Sequence, residues 1–234
     1  MRLTRLAVAL IIIGIVSGAS PDAWAGSVSF DFNDGNANGW IFPYNSGQTQ
    51  FPGGVWGVEN GSLAQYTLTD GNAGLVDNLV LSDQVIEAQV RTTRGYAGLV
   101  LWYQQVDSAW ANYIAITTGG RVDEYVDGQA HTYYYDVHGL FQDTIWNFYD
   151  LKVEANSATG DLAVYLDGVY LFTHNTSTAY RTGLSGVYSG NEHGYFDNFS
   201  VTSDDISSVP EPSILLLFGI GLAAVSLAGL RWKK

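Results

Sequence analysis

Residues 161–172 read Asp161-Leu162-Ala163-Val164-Tyr165-Leu166-Asp167-Gly168-Val169-Tyr170-Leu171-Phe172. Leu162, Val164 and Leu166 alternate with Ala163 and Tyr165, the period of two by which a strand buries one of its faces. Asp167-Gly168 separates that run from Val169–Phe172. Both central residues of a type I′ turn need φ > 0, and this dipeptide tolerates it. The stretch therefore predicts an antiparallel hairpin. Working outward, Gln84 to Arg91 places Ile86, Ala88 and Val90 opposite Glu87, Gln89 and Arg91. Tyr149 to Ala155 alternates Leu151 and Val153 with Lys152 and Glu154. Asn60-Gly61 and Asp127-Gly128 supply two more hairpin turns, and Gly53-Gly54 and Gly119-Gly120 also read as turns. With 27 Gly, 15 Tyr and a single Met among 234 residues, usage favours pleated surfaces and tight turns. About ten or more short strands at this spacing imply an all-β, antiparallel two-sheet sandwich or a barrel.

The two ends read differently. Arg2 and Arg5 precede an apolar run from Leu6 to Val16, and Ala23-Trp24-Ala25 has the small-x-small form of a signal-peptidase site. Residues 1–25 are expected to be a signal peptide cut after Ala25. At the other end, Ile214 to Leu230 carries no charge and is followed by Arg231, Lys233 and Lys234. This predicts a transmembrane helix at about residues 213–230, with its basic end cytoplasmic and the preceding domain outside the inner membrane. Residues 26–202 are left as the domain and 203–208 as a polar linker.

The formal net charge is −13, but five of the ten bases lie in the two end segments. Residues 26–209 hold 21 acids and five bases, a net of −16. Such a surface repels phosphate backbones and argues against nucleic acid as a partner. The chain has no cysteine, which excludes disulfides, thiolate catalysis and cysteine zinc sites.

Val209-Pro210-Glu211-Pro212, an apolar helix and a closing Arg/Lys cluster together resemble the PEP-CTERM sorting signal, here covering 209–234. The resemblance implies recognition by an exosortase, a membrane transpeptidase, with Pro210, Glu211, Pro212 and Arg231 as the sorting residues. It further implies delivery to the cell envelope, outer surface or extracellular matrix. A second resemblance rests on an ordered set of pieces. These are Phe30-Asp31-Phe32 with Gly39-Trp40, the run Gly57 to Leu63, Ala97-Gly98-Leu99-Val100, Trp146 with Leu151-Lys152-Val153, Val164 to Gly168, and Gly194 to Val201. In this order they are similar to the concanavalin A-like, laminin G-like jelly roll. In that fold the first and last strands pair, so Phe30–Phe32 and Phe196–Val201 are expected to be neighbours.

That fold hosts both glycosidases and non-catalytic sugar binders. Its hydrolases carry a Glu-x-Asp-x-x-Glu or Glu-x-Asp-x-Glu run, which places two carboxyl groups across a glycosidic bond. The nearest approach here is Asp123-Glu124-Tyr125-Val126-Asp127, where Asp123 and Asp127 can share a face but Asp127 falls in a turn. The histidines, His131, His138, His174 and His193, have no metal-ligand spacing and read as scattered surface positions. Aromatic rings stack on the apolar faces of sugars. From Leu99 to Gln104, strict alternation puts Leu99, Leu101 and Tyr103 on one face and Val100, Trp102 and Gln104 on the other. Both faces are apolar, so the strand is either central and covered or offers a platform. Trp102, Gln104, Tyr113 and Tyr134 are the candidate carbohydrate-binding residues. Asp31 to Asn36 is rich in hard oxygen donors without being an EF-hand, because the position that needs Glu holds Phe42. With Asp197 brought near by terminal-strand pairing, Asp31, Asp34 and Asp197 are the candidate ligands of a structural Ca²⁺.

The expected function is that of an exported, surface-sorted, non-catalytic protein that binds or organises extracellular polysaccharide. The alternatives are a sugar-active hydrolase, including the keto-disaccharide hydrolase type, and a purely structural adhesion protein.

Overall fold

The computed structural model describes residues 26–43, 55–66, 71–92, 94–106, 111–137, 147–190 and 192–206. The expected signal peptide with Ala23 and Ala25, the tail with Pro210, Glu211, Pro212 and Arg231, and also Gly53-Gly54, His138 and Trp146, lie outside the described residues. One compact unit runs Ala25–Ile206.

Among the described residues, fifteen strands form and no helix. They are β1 (Gly26–Phe30), β2 (Trp40–Ile41), β3 (Trp56–Glu59), β4 (Ser62–Gln65), β5 (Asn72–Leu81), β6 (Gln84–Thr92), β7 (Ala97–Gln105) and β8 (Ala111–Thr117). β9 (Arg121–Val126), β10 (Gln129–Tyr134), β11 (Tyr149–Asn156), β12 (Asp161–Leu166), β13 (Val169–Asn175), β14 (Gly183–Ser189) and β15 (Gly194–Ser203) follow. An eight-stranded sheet runs β13-β12-β11-β6-β15-β4-β3, with β1 also on β15; a seven-stranded sheet runs β10-β9-β8-β7-β14-β5-β2. Every pairing is antiparallel, as the alternating patterns require.

The hairpin at 161–172 forms as β12 and β13, with φ 50° at Asp167 and 74° at Gly168. Asn60-Gly61 (52° and 77°) and Asp127-Gly128 (49° and 76°) turn in the same way between β3 and β4 and between β9 and β10. In β6, Ile86, Ala88 and Val90 are buried, and in β11 so are Leu151 and Val153. These side chains meet Leu99, Leu101, Ile114 and Ile116 of the other sheet in one continuous core. Each buried Val, Leu or Ile contributes about 1.5–3 kcal/mol.

The ends of the domain close on each other. β1 pairs with β15 in the register Phe30↔Phe199. Trp40 meets Phe199 edge-on at 4.9 Å and Phe30 at 5.3 Å. Residues 203–206, read from the sequence as the start of the linker, take part in the closure. Ser203 pairs with Gly26, Asp205 Oδ2 accepts from Ser82 N at 2.9 Å, and Ile206 packs on the core.

Strict alternation fails in β7. Register breaks between Leu101 and Gln104, and Trp102 sits at φ 54° in a bulge. The extra residue turns Trp102 to the same side as Leu99 and Leu101 and moves Tyr103 to the side of Val100. The opposite strand makes room with Gly183, where a Cβ would come within 2.6 Å of the Trp102 carbonyl carbon.

Candidate functional site: the tyrosine face of the seven-stranded sheet

β8 is buried on both sides: Ile114 and Ile116 face the core, while Ala111, Tyr113 and Ala115 face outward from the sandwich. Neighbouring strands add Tyr103 from β7, Tyr125 from β9 and Tyr188 from β14, a row one ring deep across four strands. Tyr113 stacks on Tyr125 at 4.5 Å and on Tyr103 at 5.7 Å, with Tyr188 at 6.2 Å. Burial pushes the Tyr113 hydroxyl well above its ordinary pKa, and the adjoining Tyr188 and Tyr125 add to the rise, so it remains a neutral hydrogen-bonding group.

Polar groups flank the rings because residues two apart on β9 share a face. Arg121, Asp123 and Tyr125 point outward, while Val122 and Glu124 point inward. Asp123 is fully buried; its Oδ1 accepts from Thr132 Oγ1 at 2.6 Å and from Arg121 Nε at 2.9 Å, and its Oδ2 lies 2.8 Å from the same nitrogen. The Arg121 guanidinium also covers the Tyr96 ring at 5.4 Å. Glu192 in turn fixes Tyr96, accepting its N–H at 2.5 Å and that of Arg94 at 2.7 Å.

Of the four residues expected to touch sugar, two reach this face. Tyr113 lies in the row, and Tyr134, 74% exposed, stands across from Arg121 on edge strand β10. Trp102 does not: the bulge drives its ring into the core at 0% exposure, where Nε1 donates to Ser82 O at 2.8 Å. Gln104 turns its amide to the Thr182 carbonyl. Tyr103, Tyr125 and Tyr188 were missed because the bulge reverses facing in β7 and because single tyrosines on three separate strands carry no local pattern. The carboxylates weighed for catalysis are dispersed. Asp123 belongs to the tyrosine face, Glu124 to the opposite side of β9, and Asp127 to the turn.

The histidine reading also needs correcting. His174 of β13 is 3% exposed, and its Nε2 lies 2.7 Å from Glu124 Oε1 while the Tyr135 hydroxyl bonds Nδ1 at 2.8 Å. This chain ties β9 and the residue after β10, in one sheet, to edge strand β13 of the other. Spacing could not show it, because the partners are 50 residues apart in sequence. Burial works against ionising Glu124, but hydrogen bonds from His174 and Thr176 more than offset it and hold the carboxyl below its ordinary range.

At the junction of first and last strands, Asp31, Asp34, Asn36, Asn38 and Asn198 line a cavity of about 470 Å³. Asp197 stands near enough to Asp31 that burial, and then the Asp31 charge, raise its pKa. The donors are hard oxygens of the calcium type. Asp31 and Asp34 cap the N–H groups of Asn33 and Asn36 in the same loop. Among the described residues, no three carboxylates or imidazoles converge closely enough to hold a metal ion between them.

Comparison with known proteins fits this geometry. Residues 208–234 match the PEP-CTERM protein-sorting motif. No curated protein matches the chain. Among solved structures, the carbohydrate binding module CBM66 from Bacillus subtilis superposes with a TM-score of 0.53 at 17% identity, covering 72% of this chain and 98% of the module. A GlcNAcα1-4Gal-releasing endo-β-galactosidase from Clostridium perfringens gives 0.55 at 15% identity, covering 80% of this chain but only 65% of the enzyme. A β-glucanase from Bacillus licheniformis gives 0.52 at 12%, covering 76% and 98%. The chain is thus a jelly-roll sandwich of the concanavalin A-like type that carries a PEP-CTERM protein-sorting motif at its C-terminus.

Proposed function

We propose that the protein is an exported, surface-sorted, non-catalytic module that binds extracellular polysaccharide across the outer face of its seven-stranded sheet. The observation that carries this reading is the stacked row Tyr125-Tyr113-Tyr103, flanked by Arg121, Asp123 and Thr132. Half-buried Tyr125 and exposed Tyr134 offer apolar surface for sugar CH groups, Tyr113, itself buried, backs Tyr125 by stacking, and half-buried Arg121 orients hydroxyls at the rim. Similarity in fold to a carbohydrate binding module supports the reading, and the sorting motif supports placement at the envelope after exosortase processing. A non-catalytic role is supported by Asp123 being bonded to both Arg121 and Thr132, with Glu124 turned to the other side of its strand. Retaining glycosidases need two carboxyl groups about 5–5.5 Å apart, inverting ones about 6.5–9.5 Å.

A glycan array probed with the full-length protein tests this. Arg121→Ala and Tyr134→Ala should each weaken retention on the glycans that bind, by about tenfold for Arg121→Ala. Reducing-sugar release from those glycans, abolished by Asp123→Asn, would establish a hydrolase instead. A structural Ca²⁺ held by Asp31 and Asp197 belongs to the same proposal. Its chemistry there is cross-linking of the terminal strands, and added CaCl₂ should raise Tm in the parent protein but not in Asp197→Asn.

A further inference from the structure

Behind the tyrosine face, on the opposite side of β9, lies a separate cavity of about 450 Å³ between the β9–β10 hairpin and the segment that follows β13. Glu124, Asp127, His131, Tyr133, Thr178 and Tyr180 line it. Its floor is rigid: Glu124 is held by His174 at 2.7 Å, His174 by the Tyr135 hydroxyl at 2.8 Å, and the Tyr133 ring rests on the His174 imidazole at 4.8 Å. Its rim is fixed by the Tyr180 hydroxyl, which donates to Asp127 Oδ1 at 3.0 Å. Two carboxylates and two tyrosine rings therefore face one volume.

Among the described residues, none that lines the cavity is Lys or Arg. Arg181, close in sequence to the lining residue Tyr180, spends its guanidinium on the carbonyls of Thr178, Ser157, Ala158 and Thr176 at 2.9–3.2 Å. The surrounding domain carries a net −16, so its field concentrates cations and repels anions. Carboxylates set beside electron-rich ring faces form an environment for a cation rather than for a neutral or acidic group. The size suits a sugar ring, and hydroxyl and imidazole groups at the rim (Thr178, Tyr180, His131) offer partners for ring hydroxyls.

We infer that this cavity is a second binding site, specific for a protonated amino sugar of the glucosamine type, with Asp127 pairing with the ammonium and Tyr133 stacking on the ring. The site is independent of the tyrosine face, since Glu124 and Asp123 leave β9 on opposite sides.

The test is titration of the full-length protein with glucosamine, N-acetylglucosamine, glucose and methylammonium at neutral pH, followed by calorimetry or by chemical shifts of Asp127 and Tyr133. Glucosamine should bind at least tenfold more tightly than N-acetylglucosamine or glucose. Asp127→Asn should remove that preference, and Asn keeps the positive φ of the turn, so the hairpin survives. Tyr133→Ala should weaken glucosamine severalfold. Tyr134→Ala, on the other face, should leave glucosamine binding unchanged even where it weakens polysaccharide retention, so the two sites fail separately. Equal affinity for glucosamine and its N-acetyl form overturns the inference, as does retention of the preference in Asp127→Asn. Binding of methylammonium as tight as that of glucosamine overturns its sugar-specific part.

Discussion

Trp102 shows how a single residue can be read correctly as important and wrongly as to role. Its ring is interior and its backbone is left-handed, a conformation that costs a non-glycine residue about 1 kcal/mol or more and persists only where packing enforces it. Trp102→Ala should therefore destabilise by about 3–5 kcal/mol in urea unfolding, while Trp102→Phe, which keeps most of the core contact, should leave polysaccharide affinity unchanged. Loss of affinity in a folded Trp102→Phe would return the residue to the binding surface. His174 is the second such residue. His174→Phe leaves Glu124 buried without its partner, and losses of about 3–5 kcal/mol are typical of that change. Because the folded carboxyl of Glu124 is held below its unfolded value of 4.5, its contribution is present above that pH and is lost as pH falls through the lower folded value. The parent protein should thus lose urea resistance below about pH 4.5, and Glu124→Gln should flatten that part of the profile.

At the scale of elements, the hairpins were legible and the bulges were not. Asn60-Gly61, Asp127-Gly128 and Asp167-Gly168 announce their turns because positive φ is a local demand met by local chemistry. At Gly168 a Cβ would meet nothing within 4 Å, so Gly168→Ala isolates the conformational cost of φ 74°. It should lower stability by about 1 kcal/mol with no change in the m-value. A bulge is different: whether residue 102 or 103 points inward depends on how β8 and β14 register against β7, and those strands lie on either side of it in space. The candidate site inherits this limit. Tyr113 and Tyr134 could be named, yet the row that Tyr113 belongs to is assembled from four strands and was invisible in any one of them.

For the whole molecule, charge and processing set the expectations. A net of −16 over residues 26–209 disfavours polyanionic glycans, so neutral polysaccharides should be retained over uronate-rich ones, and added salt should narrow the difference. The compact unit Ala25–Ile206 has its own core and closes its own ends through β1, β15 and Ile206. Removing residues 208–234, which match the sorting motif, should leave the melting temperature of the sandwich unchanged while abolishing its retention at the envelope. Fractionation of cells expressing the shortened chain would read the second effect directly.

The pairing of the first strand with the last was implied only by the resemblance to the concanavalin A-like jelly roll, whereas the sequence by itself determined the all-β class, the three I′ hairpins and the sorting motif. Each of these rests on side-chain alternation, turn chemistry or a contiguous string, which neighbouring residues settle among themselves. Only the tertiary structure decided which aromatics share a surface, that Trp102 is core, and that Glu124, His174 and Tyr135 join across two sheets. Those outcomes depend on the register between distant strands and on which buried polar group finds a partner, quantities fixed by packing of the assembled sandwich and carried by no short stretch of the chain.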